Sequence, residues 1–308
     1  METILKVQDL VKHFKEIKAV DCLSFSVIKG EIFGLLGPNA SGKSTTIRIL
    51  LSLIKSDSGT IQLFGEPVSE RNYRVRKKMG ALIERPDFYN YLSAFENLEF
   101  LAGISGVRIS RKEILEKLEW VGLSSFAKMK VRIFSHGMKQ RLGIAQAMLN
   151  NPEFLVLDEP ANGLDPHGVV DIRNLIMKLS RENGMTILLS SHILKEIELI
   201  ADSLVVIHRG KSIAMGNMKE LLDKNNQYVK ISVSNLERSV LILNEHGIKD
   251  IRITGPGEIM VHMVNAHSGK INDILVKSGI DVRALIPVFT LEDYYFQLTE
   301  NALENNNL

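Results

Sequence analysis

The chain has 308 residues, enough for two domains, and its hydrophobic fraction of 45% suits a protein with a sizeable core. A net charge of +2 makes no electrostatic case for nucleic acid, so no nucleic-acid partner is expected. One cysteine, Cys22, excludes an internal disulfide or a cysteine-rich zinc cluster and fits a reducing compartment; the charged N-terminus does not read as a signal peptide, and no apolar run reaches the roughly 20 residues that span a bilayer.

In chain order, Thr3–Val7, Val20–Val27, Glu31–Leu36 and Thr60–Phe64 read as strands. Between the third and fourth lies Gly37, Pro38, Asn39, Ala40, Ser41, Gly42, Lys43, Ser44 and Thr45. This is the pattern GxxxxGK[ST], set between an apolar strand and a segment, Ser44–Ile54, with helical spacing. Gly37 and Gly42 let backbone N–H groups turn inward around phosphate oxygens, and the helix N-terminus adds partial positive charge. Lys43 is expected to reach the β- and γ-phosphates, and the Ser44 hydroxyl to ligate Mg²⁺.

Helical periodicity then covers Ala94–Gly103, Ser110–Trp120 and Gly137–Leu149, a helical insertion. Short apolar runs return at Phe154–Leu157, Thr186–Leu189 and Leu204–Ile207, separated by helical patterns, which predicts a parallel sheet covered by helices. The first run ends in Asp158 and Glu159. Asp158 is expected to reach Mg²⁺ directly or through water, and Glu159 to polarise a water near the γ-phosphate. The guanine-reading tetrapeptide NKxD is absent, which disfavours GTP.

The texture changes after Gly216. A polar stretch from Asp223 to Gln227 reads as a boundary. Beyond it come strand Tyr228–Val233, helix Leu236–Glu245, strand Ile248–Thr254, a turn at 255–257, strand Glu258–Val264, helix Gly269–Val276 and strand Asp281–Pro287. The order βαββαβ predicts a small split-βαβ domain. A short helix at Leu291–Leu298 and a disordered tail at Glu304–Leu308 follow. No clustered polar site stands out in 228–288, which leaves a dimer-contact or regulatory role for that region.

With Phe134–Arg141 (FSHGMKQR), Asn162–Pro166 (NGLDP) and Ser190–His192 (SSH) added, the chain resembles the ATP-binding-cassette (ABC) ATPases over about residues 1–222. The resemblance implies a P-loop NTPase fold: a RecA-like core, an antiparallel β-subdomain and a helical subdomain at about 88–150, with a small α+β accessory domain at 228–308. It implies that Ser135 and Gly137 begin a helix that meets the γ-phosphate bound on a partner subunit, so that ATP joins two chains. His192 would contact the γ-phosphate, and Asp165 would lie across the dimer interface. Phe14 takes the place of the adenine-stacking aromatic; the other reading of Phe14 is a core residue. The intact motif set favours a homodimer.

Two positions depart from the family pattern. His136 replaces a glycine in the Ser-x-Gly element. Glu84 stands where the family carries a Mg²⁺-sensing glutamine; it either ligates Mg²⁺ or pairs with Arg85 or another surface cation. That glutamate, with the stretch Gly80–Tyr89 and Ser135–Leu142, resembles ATP-binding subunits of bacterial exporters that protect against bacitracin and lantibiotics. The implied protein is an ATPase driving separate transmembrane permease chains from the cytoplasmic membrane face. An exporter of another substrate, or a soluble ABC ATPase in cofactor assembly, is the alternative. Phe88, Tyr89 and Tyr91 either form a groove for a short permease helix or pack inside the helical subdomain. The basic run Arg71, Arg74, Arg76, Lys77 and Lys78 reads as a solvated helix face, with anionic lipid as the other reading.

Overall fold

The computed structural model describes residues 2–69, 72–225, 228–262, 268–287, 291 and 295. The chain divides into two compact units, Met1–Met218 and Lys219–Leu308.

In the first unit, β1 (Thr3–Phe14), β2 (Ile17–Ile28), β4 (Ser58–Leu63) and β5 (Glu66–Pro67) form an antiparallel sheet in the order β2-β1-β4-β5. Both long strands outrun their sequence-predicted ends. Register shifts around Asp9 break the apolar alternation, and Asp9 and Cys22 sit at φ 47° and 53°. A bulge moves every later side chain to the other face, so a strict period of two ends where the strand does not.

A second sheet runs β10 (Lys211–Asn217), β9 (Ser203–His208), β3 (Ile32–Leu36), β8 (Thr186–Ser191), β7 (Phe154–Asp158) and β6 (Met79–Leu82). Its pairs are parallel except β9 with β10. All residues of β3, β7 and β8 are buried, as a sheet covered on both faces requires. One apolar core joins the two sheets: Phe25 of β2 stacks on Phe33 of β3 at 5.3 Å, with Ile47 and Leu50 of helix α1 (Lys43–Leu50) in the same cluster. That helix stops four residues short of the expected Ile54. Ser52 adopts φ 58°, and the Leu53 N–H turns back to the Arg48 carbonyl at 2.8 Å.

A short helix α2 (Tyr73–Lys77), on the basic run that reads as a helix face, precedes β6, a strand with no counterpart in the sequence reading. The helical insertion holds α3 (Ala94–Ile104), α4 (Arg111–Trp120) and α5 (His136–Ala147). Ser93 with Glu96 and Ser110 with Glu113 form reciprocal caps that start α3 and α4 where the spacing predicts. Helices α6 (Pro166–Arg181) and α7 (Leu194–Ile200) follow β7 and β8.

The expected break at 223–227 is in part helical: α8 spans Met218–Asn225, and 226–227 lie outside the described residues. The second unit comprises β11 (Tyr228–Val233), α9 (Leu236–Glu245), β12 (Ile251–Gly255), β13 (Glu258–His262), α10 (Ser268–Lys277) and β14 (Val282–Pro287). Its antiparallel sheet has the order β12-β13-β11-β14. Val229, Ile231 and Val233 alternate into a core shared with Ile242, Leu243, Ile271 and Leu275 of the two helices. β12 starts three residues later than expected, because the Ile248 N–H closes the end of α9 on the Leu243 carbonyl at 3.0 Å. The expected helix at Leu291–Leu298 lies outside the described residues but for Leu291 and Tyr295, and the tail Glu304–Leu308 lies wholly outside them.

Candidate functional site

The carboxyl ends of β3, β7 and β8 bring the phosphate loop, the two acids and His192 together, the place where open α/β sheets bind ligands. Gly42 sits at φ 112°, and a Cβ there would lie 2.3 Å from the Ala19 carbonyl oxygen, so only glycine fits. The Ser41 carbonyl accepts from the Gly210 N–H at 2.9 Å, and the Thr46 hydroxyl donates to the Gly42 carbonyl at 2.9 Å. Lys43 folds back over the loop with 4% of its side chain exposed. Its Nζ donates to the Gly37 and Pro38 carbonyls at 2.8 and 3.1 Å and lies 3.3 Å from Glu159 Oε1. The buried Ser41 hydroxyl has no hydrogen-bond partner among the described residues. An orphaned hydroxyl inside a loop of inward N–H groups fits a phosphate oxygen.

One side chain, Ser190, bonds to both Asp158 and Glu159. The Ser190 hydroxyl donates to Asp158 Oδ1 at 2.6 Å and accepts from the Glu159 N–H at 2.9 Å. Ser190 is the register partner of Asp158 across β7 and β8. Glu159 takes φ 47°, a costly conformation for a side-chain-bearing residue, which turns its carboxylate out of the strand. Glu159 Oε2 then lies 2.8 Å from His192 Nδ1. Behind His192, the Ser191 hydroxyl donates to Glu196 Oε2 at 3.2 Å, and burial pushes the Glu196 carboxyl above its ordinary range.

Two cavities flank the loop. One, of about 230 Å³, is lined by Ser44, Glu84, Asp158 and Glu159, with Arg85 and Gln140. A hydroxyl and carboxylates supply oxygen donors only, the set that suits Mg²⁺. Glu84, at φ 60°, carries an ion pair with Arg48 of α1 rather than with Arg85. The other cavity, about 440 Å³, is lined by Asn39 to Thr45 together with Lys18, Ala19 and Arg209.

Sequence reasoning missed Ser190 as a link between the two acids, although it lies two residues before His192, and missed Glu196, Gln140, Lys18, Arg48 and Arg209. No sequence signal links Arg209, in the turn between β9 and β10, to a loop far upstream in the chain.

The remaining expected residues stand outside these cavities. Phe14 is 47% exposed at the end of β1, with Lys12 Nζ 5.5 Å from its ring, which rules out the core reading. Ser135 caps α5, accepting from the Met138 N–H at 3.2 Å, and Asp165 caps α6, accepting from the Gly168 N–H at 2.8 Å. Gly137 is open, with only a Leu164 methyl 4.0 Å from a built Cβ.

Phe88 corrects the expected aromatic groove: it is buried at 7%. Tyr89 and Tyr91 are exposed, and Phe100 of α3 joins Tyr89 edge-on at 5.1 Å. Phe100 falls in a segment, Ala94–Gly103, that the sequence marks only as helical. Arg74, Lys77 and Lys78 of the basic run are exposed, as a solvated helix face requires; Lys77 lies 4.6 Å over the Tyr73 ring and Lys78 pairs with Glu153 at 2.9 Å, while Arg71 lies outside the described residues.

The second unit does contain a polar cluster, contrary to the sequence reading. Tyr228 and His262 face each other at 4.6 Å, the Tyr228 hydroxyl donates to Asp250 Oδ2 at 3.3 Å, and Arg252 donates to that hydroxyl at 3.4 Å. Pairing of β11 with β13 makes Tyr228 and His262 register partners, which their separation in sequence conceals.

Residues 20–162 match the family described as ABC transporter. The bacitracin transport ATP-binding protein BcrA of Bacillus licheniformis is 42% identical over 300 residues, covering 97% of this chain and 98% of that protein. The lantibiotic transport ATP-binding protein SrtF of Streptococcus pyogenes is 42% identical over 230 residues, covering 73% of this chain and 97% of that protein. Among solved structures, the ADP conformation of MJ1267, an ATP-binding cassette of an ABC transporter, superposes with a TM-score of 0.67 at 27% identity, over 73% of this chain and 96% of that one. The dimeric post-hydrolysis state of the cassette MJ0796, bound to ADP and Pi, does so with a TM-score of 0.61 at 26% identity, over 70% of this chain and 99% of that one.

Proposed function

The chain belongs to the ATP-binding subunits of ABC transporters and is an ATPase, and from that premise we propose that it powers export of peptide antibiotics of the bacitracin or lantibiotic type through separate permease chains. Among the described residues no helix is long and apolar enough to cross a membrane, which supports a division of labour with a membrane partner at the cytoplasmic face. In this reading residues 1–222 are the ATPase domain and 228–308 an accessory domain.

The observation that carries the catalytic reading is the chain of contacts from Lys43 through Glu159 to His192. Lys43 binds the terminal phosphates of ATP. Glu159 accepts a proton from the attacking water, and His192 holds its carboxylate while touching the γ-phosphate. Ser44, Asp158 and Glu84 would hold Mg²⁺, which neutralises charge on the phosphates when bound. Ser190 fixes one oxygen of the Asp158 carboxylate, which leaves the other for the cation Asp158 would hold. Two copies of the chain close on two ATP molecules, each between the phosphate loop of one copy and the Ser135 and Gly137 loop of the other, with Asp165 at the junction. Phe14 stacks on the adenine. The exposed rings of Tyr89, Tyr91 and Phe100 form the surface for a short permease helix.

A susceptibility panel tests the substrate. Cells carrying the chain with its neighbouring membrane genes, as wild type or with Glu159→Gln, are challenged with bacitracin and several lantibiotics. Protection by wild type alone is expected. Equal susceptibility of both, with the permease shown to be present, moves the substrate elsewhere.

A further inference from the structure

Three loops converge on Gly163. It sits at φ 75°, where a side chain is strained, and a Cβ built on it would crowd Arg85 Nη2 at 3.2 Å and His136 Cε1 at 3.3 Å. His136 Nδ1 lies 3.0 Å from the Gly163 carbonyl oxygen. A carbonyl oxygen only accepts, so Nδ1 carries the proton and donates. The other ring nitrogen, Nε2, is buried and without a hydrogen-bond partner among the described residues. A buried nitrogen left unpaired costs stability, so the ring is seated by the Nδ1 bond and by its packing against Gly163.

The two segments joined by this contact are those that carry the expected partner-facing residues. Ser135 and Gly137 flank His136 at the start of α5. Gly163 lies two residues before Asp165, the cap of α6. The same loop is anchored at its other end to the proposed base, because the Asn162 N–H donates to the Glu159 carbonyl at 3.1 Å.

We propose that His136 is a positioning residue: its hydrogen bond to the Gly163 carbonyl locks the Ser135 loop and the loop from Glu159 to Asp165 into one unit, so that a second copy of the chain meets both at fixed spacing. The inference rests on the nucleotide-sandwich reading above. Glycine at position 136 removes the donor and frees the loop; asparagine keeps a short N–H donor.

The test uses the full chain carrying Glu159→Gln, with ATP and Mg²⁺, and measures self-association by sedimentation velocity. His136→Gly is expected to weaken the ATP-dependent dimer about five-fold, the worth of one hydrogen bond, and His136→Asn to recover most of that loss. Binding of a fluorescent ATP analogue to the dilute monomer is expected to stay within about two-fold in both variants, the scale of coupling between sites that share no partner. In the Glu159 chain, His136→Gly is expected to lower kcat with KM for ATP unchanged. If the Glu159→Gln chain dimerises with ATP and His136→Gly dimerises equally well, the positioning role is overturned and the sandwich stands. If His136→Gly weakens monomer nucleotide binding as much as dimerisation, the residue acts on the site of its own chain and the proposal also falls. A Glu159→Gln chain that does not dimerise with ATP removes the sandwich reading and this inference with it.

Discussion

Glu159 and His192 meet at 2.8 Å, carboxylate to ring nitrogen, with Lys43 3.3 Å from the other carboxylate oxygen. The proposed base is thereby braced on both sides. Its left-handed backbone is the conformation that lets one carboxylate reach both neighbours.

Glu159→Gln keeps the shape of that brace and removes the basic oxygen. Turnover is expected to fall by about 10²–10⁴-fold, the usual worth of a positioned base, while ATP still binds and the ATP-bound dimer accumulates. Single-turnover hydrolysis with radiolabelled ATP measures it; hydrolysis at the wild-type rate assigns the base elsewhere.

Lys43→Ala acts on binding. The Gly37 and Pro38 carbonyls lose their shared donor and the phosphates lose a cation. Calorimetric titration is expected to show ATP affinity reduced by about 10-fold or more, the scale of a charge-assisted hydrogen bond.

The Glu84 and Arg48 pair is exposed on both sides, so its contribution to stability is small, below about 1 kcal/mol. Glu84→Gln is therefore expected to leave the melting temperature within a few degrees of wild type. The Mg²⁺ concentration for half-maximal ATPase activity is expected to rise several-fold, because a carboxylate holds the cation more strongly than an amide. An unchanged Mg²⁺ requirement would show that Glu84 serves the ion pair alone.

Phe88 and Tyr89 are adjacent but face opposite environments. Phe88→Ala empties a buried site and is expected to cost about 3–5 kcal/mol of stability in a denaturant titration. Tyr89→Ala is expected to leave stability almost unchanged and to abolish protection in the susceptibility panel while ATPase activity persists. Transport at the wild-type level would remove this surface from the permease contact.

Glu196 supplies a pH dependence. Burial raises its carboxyl above the ordinary value of 4.5, outweighing the Ser191 hydrogen bond. A raised folded-state value means that the neutral form is favoured in the fold. This contribution to stability is complete below the unfolded value and is lost as pH rises through the folded one. Glu196→Gln is expected to match wild type at pH 4 and to be more stable at pH 7, by less than about 1 kcal/mol because the group is only half buried. Denaturation midpoints at the two pH values check the sign.

The phosphate loop, the acids at the end of β7 and the histidine after β8 were legible because each is a local pattern: a loop between strand and helix, or polar residues at the end of an apolar run. Elements starting with a capping box were placed to within a residue at their beginnings for the same reason. The bulged strand β1 was not, since its period changes at Asp9. Burial of Phe88 beside exposed Tyr89 was equally invisible, because adjacent aromatics carry the same hydrophobic signal whichever way they point.

Sequence alone determined the nucleotide chemistry, since glycine conformations, a lysine and a hydroxyl at fixed spacing act within one turn of chain. Tertiary structure decided which distant groups serve that chemistry. Strand register set Ser190 against Asp158, the turn between β9 and β10 brought Arg209 to the phosphate loop, and α1 aimed Arg48 at Glu84. Packing of α5 beside the loop after Glu159 gave His136 its carbonyl. Each of these contacts joins residues far apart in the chain, and their spacing exists only once the parallel sheet has closed its crossovers.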